Sequence, residues 1–395
     1  MTSKEQETKQ VPAPRLRFPG FVGAWEEKKL GEVLTITNGR DYKHLKPGNI
    51  PVYGTGGYML SVDDYLHEGE SITIGRKGTI DKPDILTGKF WAVDTLFYTH
   101  SYRNTTAKFI LYVFQQINWR DYNSASGVPS LTKSTIDDIE IPFPSLPEQT
   151  RIAAALSSLD AVIVAHQSKQ DALREHKRGL MTGLFPAEGD RVPRLRFPEF
   201  EGAGEWEEKK LGELGTFRGG GTPDKATSDY WSGEIPWISS SDIDQDDIRT
   251  LSPTRFITEE AIKNSATKKI PARNILFVSR VGVGKLAVST EELCTSQDFI
   301  NFQPKNDNEY FLAYYFKSKA SLLISFGQGM AIKGFTKNDL ESITLPLPSL
   351  PEQTRIAAAL SSLDDLIIAQ GDNIAALQDF KRGLIQGLFP AGGEE

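Results

Sequence analysis

The sequence holds a single cysteine, five histidines and no long apolar run, and it carries fewer basic than acidic side chains. One thiol, Cys294, excludes an internal disulfide and any zinc site built on several thiolates. It is expected as a small buried apolar residue, and its isolation suits a reducing, cytoplasmic setting. The histidines show no metal-ligand spacing. No stretch approaches the roughly 18 apolar residues needed to span a bilayer, so no membrane is expected as a partner. The opening MTSKEQETKQVPAPR lacks the apolar core of a secretory signal, and residues 1–14 read as a disordered leader. A net charge of -7 and a pI near 5.5 argue, at face value, against a nucleic-acid partner.

Catalytic constellations are also missing. There is no Asn/Asp-Pro-Pro-aromatic tetrapeptide of the kind that holds a flipped base, and no glycine-rich turn that convincingly follows a strand. VSRVGVGKL imitates a phosphate loop, but Ser279 stands where its first glycine belongs and Leu286 where Ser or Thr must bind magnesium. PDILTGKF and TPDK contain nuclease-like letters of the kind that arise by chance. Catalysis and a bound cofactor are therefore not expected of this chain.

What the sequence does have is itself, twice. PSLPEQTRIAAALSSLD runs from Pro144 to Asp160 and again, unchanged, from Pro348 to Asp364. RLRFPGF at Arg15 returns as RLRFPEF at Arg194, WEEKKLGE at Trp25 returns at Trp206, and KRGLMTGLFP at Lys177 returns as KRGLIQGLFP at Lys381. Each half thus reads opening motif, variable block, shared segment, closing motif, which is the signature of a tandem repeat. The variable blocks run roughly over 33–141 and 214–345.

A constant offset of 204 aligns the later parts of the two blocks: Arg76 with Arg280, Gly78 with Gly282, Asp94 with Asp298, Thr132-Lys133 with Thr336-Lys337. NIPVY at Asn49 matches EIPWI at Glu234, so the second block carries about 19 extra residues, a local excursion including TEEAIKNSA. Runs such as SITIG, FWAVDTLFYT, NILFVSRVG and FINFQP between Gly, Pro, Asp and Asn clusters have the grammar of strands and turns. TAKFILYVFQQI and EYFLAYYFKSKASLLISF each read as one helix. Each block is expected to be an α+β globule.

After Pro147 no helix breaker intervenes until Gly179, and Ala, Leu, Gln, Glu and Lys dominate, so a helix of about 37 residues, ~55 Å, is expected in each half. Alternating steps of four and three pick out Ile152, Leu156, Leu159, Ile163, His166, Gln170, Leu173, Lys177, Leu180 and Leu184, with Ile356 to Leu388 in the other copy, a coiled-coil seam. The partner for each seam is expected to be the other, in antiparallel register centred near Ser168 and Asp372, with His166, Gln170 and Gln370 at the centre. Two tandem halves then form a pseudo-two-fold arrangement of two globules separated by paired long helices. By segment, the expected domains are a recognition globule over 15–146, a long helix over 147–190, a second globule over 191–350, and a helix with tail over 351–395. Local two-fold symmetry of this kind suits duplex DNA read as two half-sites.

The order WEEKKLGE, variable block, PSLPEQTRIA, long helix, repeated from Arg15 to Ala391, resembles the specificity subunits of type I restriction-modification systems. IPWIS with LFVSRVGVGK, and PVYGTGG with ITIGRKGTI and FWAVDTLFY, are similar to target-recognition domains of that family. The resemblance implies a non-catalytic subunit that reads double-stranded DNA and binds two methyltransferase subunits and, through them, up to two restriction subunits. It places S-adenosylmethionine, ATP and Mg2+ in the partners, in the service of DNA methylation and host defence. A scaffold with two ligand-binding globules and a stand-alone restriction or modification enzyme are the alternatives.

Within that reading, Arg76 and Arg280, each on a glycine-bearing turn after a strand, are the shared candidates for DNA contact. In the first block the Gly/Ser loops add Tyr53, Thr55, Gly56 and Tyr58, then Ser124, Ser126 and Ser130, flanked by Lys43, Lys46 and Lys77. In the second block the candidates are Arg218, Gly220 and Thr222, then Ser239 and Ser240, with Lys285, Gln328 and Lys333. Backbone N–H groups, hydroxyls and amides on such loops suit base edges and phosphates. The shared segments must present one surface to two identical partners, so Pro147, Glu148, Gln149 and Arg151, with Pro351, Glu352, Gln353 and Arg355, are the expected partner contacts.

Overall fold

The structure is a computed structural model and describes residues 10–11, 13–326 and 334–390. Most of the expected leader, together with Gln328 and Lys333, lies outside the described residues. The chain divides into two compact units, 1–166 with 373–395, and 167–372. This division cuts each long helix in the middle, where the sequence suggested helices set apart from globules.

In unit 1, β1 (Gln10–Val11), β2 (Trp25–Lys29) and, later in the chain, β11 (Glu140–Phe143) form a three-stranded sheet. Between them lie α1 (Leu30–Val33), β3 (Thr35–Asn38), β4 (Pro47–Gly54), β5 (Gly57–Val62), β6 (His67–Glu68), β7 (Ser71–Gly75), β8 (Asp84–Leu86), β9 (Lys89–Ala92), β10 (Leu96–His100), α2 (Ala107–Phe114) and α3 (Lys133–Asp137). Two four-stranded sheets result, ordered β3-β10-β7-β8 and β5-β4-β9-β6, the β4/β9 pair being parallel. SITIG is buried at all five positions of β7. FWAVDTLFYT is two strands, because the turn at Val93–Thr95 moves the chain from one sheet to the other.

Unit 2 repeats the plan. It contains β12 (Glu207–Lys210), α5 (Leu211–Leu214), β13 (Gly215–Gly219), β14 (Ile235–Ile238), β15 (Arg255–Ile257), α6 (Glu259–Lys263), β16 (Lys269–Ile270), β17 (Ile275–Val278), β18 (Leu286–Val288), β19 (Leu293–Thr295), β20 (Phe299–Pro304), α7 (Glu309–Ser318), α8 (Ala320–Ser325), α9 (Lys337–Ser342) and β21 (Thr344–Leu347). Its sheets, β13-β20-β17-β18 and β15-β14-β19-β16, reproduce those of unit 1, including the parallel pair β14/β19. The extra residues between β14 and β17 hold α6, inside the expected TEEAIKNSA. EYFLAYYFKSKASLLISF is two helices, α7 and α8, because Lys319 leaves helical geometry at φ -110° and ψ 31° while its ammonium donates to the Pro186 carbonyl.

The sheet registers correct the alignment of the blocks. In unit 1 the Arg76 N–H donates to the Thr95 carbonyl and the Arg76 carbonyl accepts from Leu131. In unit 2 these two bonds are made by Ser279, to the Asp298 carbonyl and from Phe335. The pairing of β7 with β10 and of β17 with β20 agrees with that shift. Arg76 is therefore equivalent to Ser279 and Lys77 to Arg280, one residue away from the match by letter. Thr132 and Thr336 do correspond: each caps its helix, α3 or α9, by accepting from the N–H three residues on.

The long helices are α4 (Leu146–Leu184) and α10 (Leu350–Leu388), 39 residues each. Pro147 and Pro351 sit in the first turn, where a missing N–H has no intrahelical partner to lose. Inside each unit a segment of α4 and a segment of α10 run antiparallel. In unit 1 Asp160 meets Lys381 at 2.6 Å, while Ile152 and Leu156 share a core with Leu388 and Phe389. In unit 2 Lys177 meets Asp364 at 2.5 Å, Gln170 donates to the Ile367 carbonyl at 3.1 Å, and Leu184 shares a core with Ile356 and Leu360. The two ion pairs are the same pair in the two copies with the partners exchanged. Gln170 thus holds register as a polar seam residue, lying beside Gly371, where an added Cβ would sit 3.0 Å from its Nε2.

The opening motif closes each unit. Leu16 donates its N–H to the Gly387 carbonyl at 2.7 Å in unit 1, and Leu195 to Gly183 at 2.8 Å in unit 2. A Cβ on either glycine would lie 2.4 Å from the leucine side chain, so both positions exclude larger residues.

Candidate nucleic-acid interface

In unit 1 the turn from β7 to β8 is built by short backbone approaches. A Cβ on Gly75 would stand 1.9 Å from the Thr79 carbonyl, and Gly78 has φ +90°, so the turn demands glycine at both. Besides its bond to Thr95, the turn is stitched to the loop before α3, where the Gly78 N–H donates to the Pro129 carbonyl at 2.9 Å and Lys77 bridges Ser130. The hairpin tip joining β4 to β5 lies next to it. Gly54, Thr55 and Gly56 line two clefts, one of about 720 Å³ with Asp41, Tyr42, Lys43, Met59, Val93, Asp94 and Thr95. The other, of about 380 Å³, is completed by Tyr53, Gly57, Thr73, Gly75, Thr79, Lys82, Pro83, Asp84, Leu86 and Leu96.

Most of the first-block candidates therefore converge: Lys43, Tyr53, Thr55, Gly56, Arg76, Lys77 and Ser130 share one surface. Among the described residues no partner is found for the ammonium of Lys43 or Lys77. Arg76 is only half exposed and donates from Nη1 to the Asp94 carbonyl at 3.2 Å, a main-chain bond in place of an ion pair with the carboxylate. Ser124 and Ser130 are bound to each other, and Asn123 accepts from Ala125 and Ser130, so that loop is ordered; Ser126 stands exposed on it. Tyr58 is exposed on β5, its ring edge-on to Tyr53 at 6.3 Å and its hydroxyl on Ser61. Lys46 falls elsewhere, at the opposite end of β4, with its N–H held by Asp63. Lys82 was not anticipated, since a lone lysine before proline carries no signal in the sequence.

In unit 2 the loops are used differently. The glycines of FRGGGTP pack the fold: a Cβ on Gly220 would lie 2.0 Å from the Ser296 carbonyl, and one on Gly221 would lie 2.4 Å from the backbone at Ala266 and Thr267. Gly220 is half-buried and excludes a side chain, while Arg218 stays exposed on the edge strand β13 and Thr222 is half-buried. Ser239 caps a short turn, its hydroxyl 2.6 Å from Asp242 and accepting from Arg255, whose guanidinium stacks 4.5 Å from the Trp237 ring centre. Burial works to raise the Asp242 carboxyl, but donation from the Ser239 O–H and N–H and from Thr254, with Arg255 close by, holds it below the usual carboxylate value. The Lys285 ammonium donates to the carbonyls of Ser240, at 3.3 Å, and Ile243, at 3.0 Å, and so braces the turn that carries Arg280. Arg280 is exposed, and no partner for its guanidinium lies among the described residues.

The expected partner contacts divide in two. Glu148 and Gln149 are each 1% exposed, and Glu352 and Gln353 are 1% and 2% exposed. Arg17 grips Glu148 through two nitrogens at 2.7 Å, and Arg196 grips Glu352 in the same way. Gln149 donates to the carbonyls of Asn104 and Pro144, and Gln353 to Pro348 and to Asp307. Glu148 and Glu352 lock the opening motif onto the helix start, Gln149 and Gln353 tie the helix start to neighbouring loops, and all four are unavailable at the surface. Pro147, Arg151, Pro351 and Arg355 are exposed, the arginines over Phe18 and Phe197. Val162 and Val164 on α4, and their counterparts Leu366 and Ile368 on α10, are exposed apolar residues further along the same helices.

Among the described residues no group of three His, Cys, Asp or Glu side chains is placed to hold a metal ion, and no helix is long and apolar enough to cross a membrane.

The family model for the type I restriction modification DNA specificity domain matches residues 23–175 and again 203–378. The type I restriction enzyme MjaIX specificity subunit of Methanocaldococcus jannaschii is 36% identical over 168 residues, 41% of this chain and 39% of that protein. A putative type I restriction enzyme specificity subunit of Haemophilus influenzae is 25% identical over 375 residues, 90% of this chain and 92% of that protein. Among solved structures, the S subunit of a type I restriction-modification system from M. genitalium superposes with a TM-score of 0.68 at 16% identity, over 97% of this chain and 100% of that one. Two matched copies, one per unit and each with the same sheet plan and helix start, place this chain in the family of type I restriction-modification DNA specificity subunits.

Proposed function

We propose that this chain reads a bipartite site on double-stranded DNA, one half-site per unit, as the specificity subunit of a type I restriction-modification assembly. One observation carries the proposal: two units whose four-stranded sheets share one strand order differ at the loops around Lys77 and Arg280 while keeping the helix starts unchanged. A protein that reads two different sequences and docks two copies of one partner requires that division. Lys77 and Arg280 hold the DNA backbone in this reading, with Lys43, Thr55, Gly56, Arg76, Ser126 and Ser130 contributing in unit 1 and Arg218, Thr222 and Ser240 in unit 2. Two methyltransferase subunits dock on the surface around Pro147, Arg151, Pro351 and Arg355, and up to two restriction subunits follow through them. The chain itself is non-catalytic; S-adenosylmethionine, ATP and Mg2+ belong to the partners, and the complex works in the cytoplasm.

The net charge of -7 gives the isolated chain weak affinity for DNA, which rises when the methyltransferase supplies phosphate contacts. Gel-shift titrations with and without the methyltransferase, at several salt concentrations, test this. Affinity that appears with the partner and falls steeply with salt supports the proposal; binding indifferent to salt contradicts it.

A further inference from the structure

We infer that Val281, with Val128 as its counterpart in the other unit, reads the 5-methyl group of thymine. The inference rests on the DNA-reading function proposed above. Val281 is 69% exposed and Val128 66%, and both are β-branched and so stiff about χ1. Single exposed apolar residues are common on protein surfaces, but Val281 lies on the turn after β17, and Val128 lies on the loop that is hydrogen-bonded to the turn after β7.

In unit 2 the turn after β17 carries Arg280 and then Val281. The turn is held at both ends: Ser279 is bonded to the Asp298 carbonyl and to the Phe335 N–H, and Lys285 is anchored on the carbonyls of Ser240 and Ile243. Gly282 and Gly284, at φ +95° and +94°, close it tightly. An apolar side chain is thus presented to solvent on a fixed turn, beside an exposed guanidinium without a partner among the described residues.

In unit 1 the equivalent of Arg280 is Lys77, and the residue equivalent to Val281 is Gly78, which has no side chain. Its N–H instead holds the Pro129 carbonyl at 2.9 Å, and that bond brings the adjacent Val128 to the same turn from a different loop. Where one loop loses the apolar group, the neighbouring loop supplies it. A cation with a methyl-bearing side chain beside it suits a phosphate and the one apolar group on the major-groove edge of a base pair, the thymine methyl.

The test uses the full chain with its methyltransferase on synthetic duplexes of the target, defined first by sequencing methylated positions. Each thymine of the half-sites is replaced in turn by deoxyuridine, which removes the methyl alone. One replacement in each half-site is expected to weaken binding about fourfold, the worth of one buried methyl-sized group. Val281→Ala abolishes the penalty in one half-site and leaves it in the other; Val128→Ala does the reverse. A half-site without an A·T pair, no position sensitive to deoxyuridine, or penalties that persist in both variants would overturn the assignment. Lys77→Ala and Arg280→Ala separate the two claims. If those variants bind with unchanged affinity and salt dependence, the DNA-reading function itself has failed; if they bind more weakly while the methyl is ignored, only the valine assignment falls.

Discussion

Two ion pairs that are equal by sequence have unequal surroundings, and their removal should be unequal too. Lys177 and Asp364 in unit 2 retain 9% and 5% of their side-chain exposure, and the Tyr314 hydroxyl donates to the second Asp364 oxygen at 2.5 Å. Lys381 and Asp160 in unit 1 retain 17% and 36%, with the Tyr112 hydroxyl at 2.7 Å. Lys177→Met leaves a carboxylate in the helix seam without a counter-charge, which costs about 3 kcal/mol or more. Lys381→Met leaves Asp160 partly hydrated, and the loss is about 1 kcal/mol. Hydrogen exchange on the complete chain reads both segments separately, since local opening reports local free energy. Amides of α10 around Asp364 should exchange roughly a hundredfold faster in Lys177→Met, against about fivefold for α4 around Asp160 in Lys381→Met. Replacing both members, Lys177→Met with Asp364→Leu, should restore most of the protection, because an apolar pair of similar size needs no counter-charge. Equal losses, or a larger loss in unit 1, would refute the burial difference on which the calculation stands.

Cys294 is wholly buried, and burial pushes its thiol up to about 12, so it should resist alkylation at pH 8 and react only on unfolding, as mass spectrometry along a urea titration would show. His67 and His100 face each other at 6.0 Å, and both are lowered from the ordinary histidine value, by burial first and then by His100 acting on His67 and Lys133 on His100. The folded state therefore prefers them neutral. Stability of unit 1 should be full above the unfolded pKa of about 6.5 and decline as pH falls below it. His67→Phe should flatten that decline in thermal melts between pH 7 and 5. Lys77→Ala and Arg280→Ala should each lower the slope of log affinity against log salt by about one, as expected for one lost phosphate contact.

The long helices were legible because periodicity and composition act over many residues; the seam residues Ile152, Leu156 and Ile163 are buried as their spacing requires. The two strands in FWAVDTLFYT were not separable, since the turn between them is only three residues long and its polar pair, Asp94 and Thr95, carries neither glycine nor proline to mark a break. The equivalence of Arg76 with Arg280 failed for a related reason. Matching letters one residue out of step outweighed a sheet register that only hydrogen bonds reveal. Glu148 and Gln149 were read as outward-facing because two identical copies suggested two identical partners. The identity of Glu148 has a nearer cause in Arg17 of the opening motif, 131 residues away in sequence, and that of Gln149 in the carbonyls of Asn104 and Pro144. At Gly220 only the approach of the Ser296 carbonyl, which the sequence does not disclose, shows why a side chain is excluded.

The central claim is that each unit reads its own half of one DNA site. Sequencing of methylated bases in a host carrying this chain with its methyltransferase, before and after exchange of the loops around Arg280 for another sequence, tests it most directly. The account predicts a bipartite motif in which only one half changes. A contiguous motif, a change in both halves, or methylation independent of the chain would contradict it.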